Sequence, residues 1–282
     1  MILVTGAAGK TGLAVLAALK QQGAKTRALV KRDDQINLVR QAGADEVVVG
    51  DLLDATDWQL ATTAVSHIYH ICPNMHPQEV QIGQKMIAAA QALGNCRVVY
   101  HSVIHPHIQE MPHHWQKLKV ENLLFNSRLV YTILQPTAYM QNLLAYLPAI
   151  QNEGVLALPY PAHTGLSLVD LQNVASAAAK ILTEAGHEYA TYELAGTAPL
   201  TQTAVADTFS QILRRPVEVH TIPLAHWETQ ARAGNGNEYG VETAVRMFTY
   251  YAQSGMAGNP QVLRCLLGHN PTSLATFIQN SA

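Results

Sequence analysis

The sequence predicts an α/β protein built on a doubly wound parallel sheet, with a smaller, mostly helical C-terminal portion. Three observations carry this. Short β-branched apolar runs alternate with helix-length segments through the first half of the chain. A turn of small residues, Gly6-Ala7-Ala8-Gly9-Lys10-Thr11-Gly12, follows the first of those runs and opens a helical one. From about residue 136 the strict alternation lapses.

The first strand covers 2–4, and the helical run LAVLAAL (13–19) follows the glycine turn. Further strands are expected at 26–30, 46–49, 66–71, 97–101 and 129–134, separated by helices near 34–42, 55–64, 77–93 and 113–127. Beyond 136, helices are expected near 139–151, 171–184, 202–213, 224–232 and 238–253, with strands near 155–158, 191–195 and 217–221. Residues 1–135 are expected to form a nucleotide-binding domain and 136–282 a smaller substrate-binding one, with about 165–184 packing back on the sheet. In such a sheet ligands lie beyond the C-terminal ends of the strands.

Composition narrows the function. Hydrophobic residues make up 48% of the 282 and charged residues 13%, which excludes disorder. Lys and Arg number 18 against 20 Asp and Glu, for a net charge of -2. No field of one sign exists to hold a nucleic acid or an anionic membrane, so a small-molecule partner is expected. Cys72, Cys96 and Cys265 are too scattered for a disulfide frame or a paired-cysteine zinc site. With no apolar run of membrane-spanning length and no signal-like stretch before the first strand, a cytoplasmic location is expected.

Gly9-Lys10-Thr11 matches the tail of a Walker A loop, but that loop needs a glycine at position 4, which is Val4. A P-loop phosphotransferase is therefore disfavoured, also because no convincing magnesium-binding carboxylate follows a later strand. What fits is a strand, a tight turn and a helix N-terminus, which together aim bare amides and a helix dipole at a diphosphate. The stretch Thr5 to Gly12 resembles the TGAxGxxG fingerprint of short-chain dehydrogenases. Gly6, Ala8, Gly9, Lys10, Thr11 and Gly12 are then cofactor-binding candidates; the alternative is a small-residue turn without a ligand.

Lys31 and Arg32 follow the second strand, where a ribose 2′-phosphate wants cations and a free 2′-hydroxyl wants a carboxylate. NADPH is favoured, and Asp33 leaves NADH open; the bland alternative is a pair of solvated surface charges. After the third strand, Asp51 and Leu52 resemble the turn that faces adenine in those dehydrogenases, although Asp51 could equally cap the helix from 55. Cys72 and Pro73, ending the fourth strand, would run beside the nicotinamide ribose.

Residues 101–117 read HSVIHPHIQEMPHHWQK, with five histidines. No spacing among them selects a metal, so no metal site is expected. In short-chain dehydrogenases a serine ends this strand and a Tyr-x-x-x-Lys pair follows, the tyrosine moving a proton and the lysine lowering its pKa. Ser102 and Lys117 stand in the serine and lysine positions, but His113 stands where the tyrosine would be. Lys117, His113 and Ser102 are the catalytic candidates, with His114 a second proton donor to weigh.

The resemblance then becomes specific. KLKVENLL (117–124), LVYTILQP (129–136), YMQNL (139–143), SLVDLQNVA (167–175), YELAG (192–196) and LGHNPTS (267–273) resemble, in order and spacing, the NmrA-like family of atypical short-chain dehydrogenases. This implies a Rossmann fold, NAD(P) binding with Lys117 and Pro136 at the cofactor, and reductase activity of the quinone-oxidoreductase kind. Two departures stand out: Gln135 where relatives often have arginine, and Gln172 where an aspartate is usual unless Asp170 replaces it.

The expected activity is hydride transfer from NADPH to a conjugated acceptor such as a quinone, without a catalytic tyrosine. The alternative is a catalytically silent dinucleotide sensor that regulates a protein partner; a homodimer stays open under either. The Gly/Asn-rich stretch 231–239 is read as a lid or a solvent loop, and Met247, Phe248, Tyr250, Tyr251 and Met256 as core packing or an aromatic-binding wall.

Overall fold

The structure, a computed structural model, describes residues 1–234 and 237–281. Six strands alternate with five helices in the order β1 (Ile2–Val4), α1 (Lys10–Gln21), β2 (Thr26–Val30), α2 (Ile36–Ala42), β3 (Glu46–Val49), α3 (Ala55–Thr62), β4 (His67–His70), α4 (Glu79–Ala92), β5 (Arg97–His101), α5 (Pro112–Phe125) and β6 (Val130–Pro136). Each neighbouring pair among these strands is parallel. Their order across the sheet is β6-β5-β4-β1-β2-β3. The chain thus runs outward from β1 to β3, returns to β4 and runs out the other way. The reversal lies between β1 and β4, the place where loops part and leave a crevice.

Burial explains why these runs are strands. β1 and β2 are buried at every position, as expected of a parallel sheet covered on both faces. Leu3, Leu29, Ile68, Val98 and Ile133 of the sheet pack with Trp58, Met86, Ala90, Val120 and Leu124 of the helices in one core cluster. That core holds the strand ends rigid, and the loops that follow them make the crevice.

The rest of the chain supplies β7 (Ala138–Tyr139), a 3-10 segment (Met140–Ala145), α6 (Leu147–Glu153), β8 (Val155–Leu158), β9 (Gly165–Leu166), β10 (Leu168–Val169), α7 (Leu171–Thr183) and β11 (Ala190–Leu194). It ends with β12 (Leu200–Thr201), α8 (Gln202–Leu213), β13 (Glu218–Thr221), α9 (Leu224–Ala233), α10 (Glu238–Ser254), α11 (Gln261–Leu267) and α12 (Leu274–Ser281). β11 lies beside β6 as the seventh strand of the sheet. Three small pairings complete the strands: β10 with β7, β12 with β9, and β13 with β8. Two compact units result, one of Met1–His107, His114–Gln135 and Val174–Tyr192, the other of Ile108–His113, Pro136–Asn173 and Glu193–Ala282.

Several expectations change here. The helix expected over 139–151 is a 3-10 segment followed by α6, which restarts with a proline in its first turn, where a missing N–H costs nothing. Helix α1 begins at Lys10, earlier than its apolar run. In 231–239, α9 continues to Ala233 and the Asn237 side chain caps α10 by accepting the Gly240 N–H at 2.6 Å. Asn235 and Gly236, the centre of the expected lid, lie outside the described residues. Phe248 and Tyr251 join Tyr160 and Trp227 in an aromatic cluster inside the second unit, with ring centroids 4.8–6.0 Å apart. Asp170 Oδ1 accepts the Gln172 N–H at 3.0 Å at the start of α7. No helix among the described residues is long and apolar enough to cross a membrane.

Candidate functional site

The glycine turn between β1 and α1 is shaped by two requirements of the fold. Gly6 has φ +57°, and a Cβ there would lie 2.7 Å from the Ile71 carbonyl oxygen. A Cβ on Gly12 would lie 2.4 Å from the Gly6 oxygen and 2.6 Å from the Ala7 Cα. Gly9 differs: its Cβ would meet only the Gly6 oxygen, at 3.2 Å. The protein almost tolerates a side chain at Gly9; a ligand pressed onto the loop would not. Helix α1 begins at once, with Gly9 as N-cap, no capping side chain and no acidic residue in its first turn. An anion is the natural complement of such a helix end.

This loop walls a cleft of about 360 Å³, whose other walls are the turns after β2 and β3 and the segment around Pro73. Gly6, Ala8, Gly9, Lys31, Arg32, Asp51, Leu52 and Pro73 all line it. Lys10 is exposed beside it, Thr11 and Cys72 are buried, and Pro136 closes β6. Lys31 Nζ stands 3.6 Å from Asp51 Oδ2. Arg32 grips Asp34 through Nε at 2.9 Å and Nη2 at 3.2 Å, and that hydrogen bond holds the Asp34 carboxyl below the usual range. Gln35 Oε1 accepts the N–H groups of both Lys31 and Arg32, each at 3.1 Å.

Asp51 does not cap the next helix. Asp54 does, accepting from Thr56 N at 2.7 Å and Asp57 N at 3.4 Å. The reason is position: the N-cap must directly precede the first helical residue, and Asp54 does so. Asp51 instead stays at the cleft, its backbone N–H donated to Asp57 Oδ2 at 2.7 Å and its Oδ1 accepting from Leu53 N at 2.9 Å.

A second polar group sits at the ends of β4 and β5. Lys117 Nζ donates to Glu79 Oε1 at 2.9 Å and to the His101 carbonyl at 3.2 Å, and lies 5.5 Å from the centre of the Tyr100 ring. Tyr100 donates its hydroxyl to the same Glu79 oxygen at 2.9 Å. His70, in register with Tyr100, stacks on it and shares a 2.8 Å hydrogen bond with Thr5, the residue before the glycine turn. Burial, then the Lys117 charge, pushes His70 and His101 down to about 3. Burial and the Glu79 carboxylate push the Cys72 thiol up.

Ser102 points elsewhere. Its hydroxyl donates to Glu121 Oε1, and Gln135 Nε2 donates to both oxygens of that carboxylate, at 2.9 and 3.2 Å. Glu121 thus has neutral partners in both Gln135 and Ser102. Burial accordingly raises its carboxyl above the ordinary value.

Of the remaining histidines, His113 is buried in the first turn of α5, and His114 Nδ1 meets the His105 carbonyl at 3.2 Å. Burial pushes His114 down to about 4, which leaves it uncharged near neutrality. Among the described residues no three His, Cys, Asp or Glu gather as they would around a metal ion.

Asp34, Gln35, His70, Glu79 and Tyr100 of these groups lie in no motif that the sequence offers. Glu121 does fall within the helix pattern 117–124, and Gln135 marked its partner. Nothing along the chain distinguishes Glu79, a first-turn acid on α4, from any exposed one.

A doubly wound parallel sheet with a glycine turn and an uncapped helix at its point of reversal defines an α/β protein of the Rossmann class. Its sequence matches the NmrA-like family model over residues 1–262. The chain belongs to the NmrA-like family. It is 29% identical over 241 residues to the NAD(P)H azoreductase of Xenophilus azovorans, covering 84% of this chain and 82% of that one. The crystal structure of the NADPH-dependent quinone oxidoreductase QOR2 from Escherichia coli, complexed with NADPH, superposes with a TM-score of 0.87 at 24% identity, covering 99% of each chain. The Citrobacter sp. triphenylmethane reductase, complexed with NADP(H), superposes with a TM-score of 0.87 at 22% identity over 100% of both chains.

Proposed function

We propose that this chain is an NADPH-dependent reductase that passes hydride to a conjugated electrophile such as a quinone. The observation that supports it most is one cleft in which the uncapped start of α1, the bare glycine turn and the Lys31–Arg32 pair meet. The azoreductase and quinone oxidoreductase among its relatives act, by name, with NAD(P)H or NADPH on conjugated acceptors.

When bound, NADPH supplies the hydride. The chain's own residues bind, orient and protonate. Amides of the turn from Gly6 to Gly12 and the α1 dipole take the diphosphate, with Lys10 and Thr11 beside them. Lys31 and Arg32 take the 2′-phosphate, Asp51 and Leu52 flank the adenine, and the backbone of Cys72, Pro73 and Pro136 borders the nicotinamide end. Lys117, held by Glu79, offers its ammonium to the ribose or to the acceptor oxygen. Ser102, bonded to Glu121, fixes the strand end from which that lysine is also held. His113 or His114 is the candidate proton donor. Hydride addition to a quinone gives a stabilised hydroquinone anion, so the absent tyrosine is less needed than for a simple ketone.

A silent dinucleotide sensor is the second reading. It is favoured by the commitment of both Lys117 and Ser102 to buried carboxylates, which a binding scaffold would keep. One experiment separates the two. Purified protein is titrated with NADPH, NADH and ATP, then supplied with NADPH and a panel of quinones and azo compounds. The reductase reading expects tightest binding of NADPH and steady oxidation with at least one acceptor; tight binding without turnover leaves the sensor. Lys31→Ala/Arg32→Ala should weaken NADPH by about tenfold and leave NADH nearly unchanged.

A further inference from the structure

We infer that Gln35 and Asp34 decide which dinucleotide this chain prefers, Gln35 favouring a ribose 2′-phosphate and Asp34 limiting that preference. The inference rests on the dinucleotide reading above.

Gln35 lines the cleft beside Lys31 and Arg32. Its Oε1 takes the N–H groups of Lys31 and Arg32 at 3.1 Å each, so neither backbone donor at the end of β2 is left for a ligand. The same two bonds fix the amide plane. With its oxygen engaged, the end of the side chain that remains is the Nε2 amino group, and among the described residues it donates to nothing. Of the side chains that line the cleft at this strand end, Lys31, Arg32 and Gln35 each offer donors, while Asp51 on the adjoining turn is an acceptor already facing Lys31. A phosphate monoester has three acceptor oxygens to receive those donors. A ribose hydroxyl seeks an acceptor, and Gln35 has already spent its own.

Charge alone does not make this preference. Lys31 is paired with Asp51 and Arg32 with Asp34, so each cation at the strand end already has an anionic neighbour. Arg32 is held by Asp34 through two hydrogen bonds, so an incoming phosphate meets a guanidinium whose charge is already partly offset. Such exposed pairs are weak and exchange readily, which makes Asp34 a brake and not a block. The neutral Gln35 donors carry no such offset.

The test is a set of binding titrations with NADPH and NADH on folded full-length variants, their folding checked by thermal melting. Gln35→Glu keeps an acceptor for both backbone N–H groups, so the turn is retained while the donor becomes a second repelling carboxylate. It is expected to weaken NADPH at least about tenfold and to bring NADH level or ahead. Asp34→Asn releases Arg32 and is expected to tighten NADPH about two- to fivefold with NADH unchanged. Asp33→Asn makes the same change of charge at a residue with no ion pair among the described residues, and is expected to do less. Retention of the wild-type preference in Gln35→Glu, or equal effects of Asp33→Asn and Asp34→Asn, overturns the inference while the proposed function stands. Wild-type protein that binds neither dinucleotide overturns both.

Discussion

The cleft at the glycine turn and the cluster beside β4 and β5 are both rich in charge, yet they are built in opposite ways. In the cleft the charged groups are exposed, and their partners are near in sequence or on the adjoining turn: Arg32 with Asp34, Lys31 with Asp51. In the cluster Glu79, Tyr100, His70 and His101 are buried, and the bonds join residues 21 and 38 positions apart. Exposed pairs rearrange at little cost, whereas a buried charge that loses its partner has no water to replace it. Exchange of ligands belongs to the first kind of construction and fixed positioning to the second. Substitutions in the cleft should therefore read out in affinity, and substitutions in the cluster in stability.

The largest effect is expected within the glycine turn itself. Gly12→Val drives a side chain into the Gly6 oxygen and the Ala7 backbone, so dinucleotide binding should fall by more than about a hundredfold and the melting temperature should drop as well. Gly9→Val, whose Cβ would press only on the Gly6 oxygen at 3.2 Å, should lose affinity while melting closer to wild type than Gly12→Val does. Unchanged affinity in Gly9→Val would remove the loop from the binding site.

Next comes the buried pair. Glu79→Ala strands the Lys117 ammonium among buried groups and should cost about 3–5 kcal/mol in urea unfolding. Asp34→Ala, made at an exposed pair, should leave the urea midpoint where it is. If the two behaved alike, the contrast between the regions would fail.

The smallest and most diffuse effect is that of pH. His70 and His101 are depressed to about 3 and His114 to about 4, so the folded chain binds fewer protons than the unfolded one below the usual histidine value of 6.5. Stability from these groups is complete above 6.5 and drains as the pH falls toward their folded values. Glu121 runs the other way, because burial raises its carboxyl: its contribution is complete below the ordinary value of 4.5 and is lost as the pH rises through the folded one. Urea midpoints measured across pH should fall on the acid side, and Glu121→Gln should flatten the decline on the other.

The particular residues show why some of this was legible along the chain. β1, β2 and β5 fall on their expected residues, since buried parallel strands need unbroken β-branched and apolar runs bounded by breakers, and the edge strand β3 does so on its three valines. The glycine turn was readable because the left-handed backbone at Gly6 and the contacts of Gly12 with Gly6 and Ala7 are local, although Ile71, which also excludes a Cβ at Gly6, is distant in sequence. The cap of α3 was missed by three positions: Asp51 and Asp54 are equal in type, and only the true first residue of the helix selects between them. Strands of two residues, such as β9 and β12, carry no periodicity to detect. Nothing along the chain joins Glu79 to Tyr100 until α4 is laid against β5.

Residue types and spacing were thus sufficient for the sheet, its crevice and the small-residue turn, because hydrophobic burial, helix dipoles and left-handed backbone are dictated over short stretches of chain. Folding alone settled that Lys117 meets Glu79, that Ser102 donates its hydrogen bond to Glu121, and that Gln35 turns its oxygen to the Lys31 and Arg32 backbone. A buried polar group takes whatever partner three-dimensional packing brings within about 3 Å, and that distance has no counterpart along the chain.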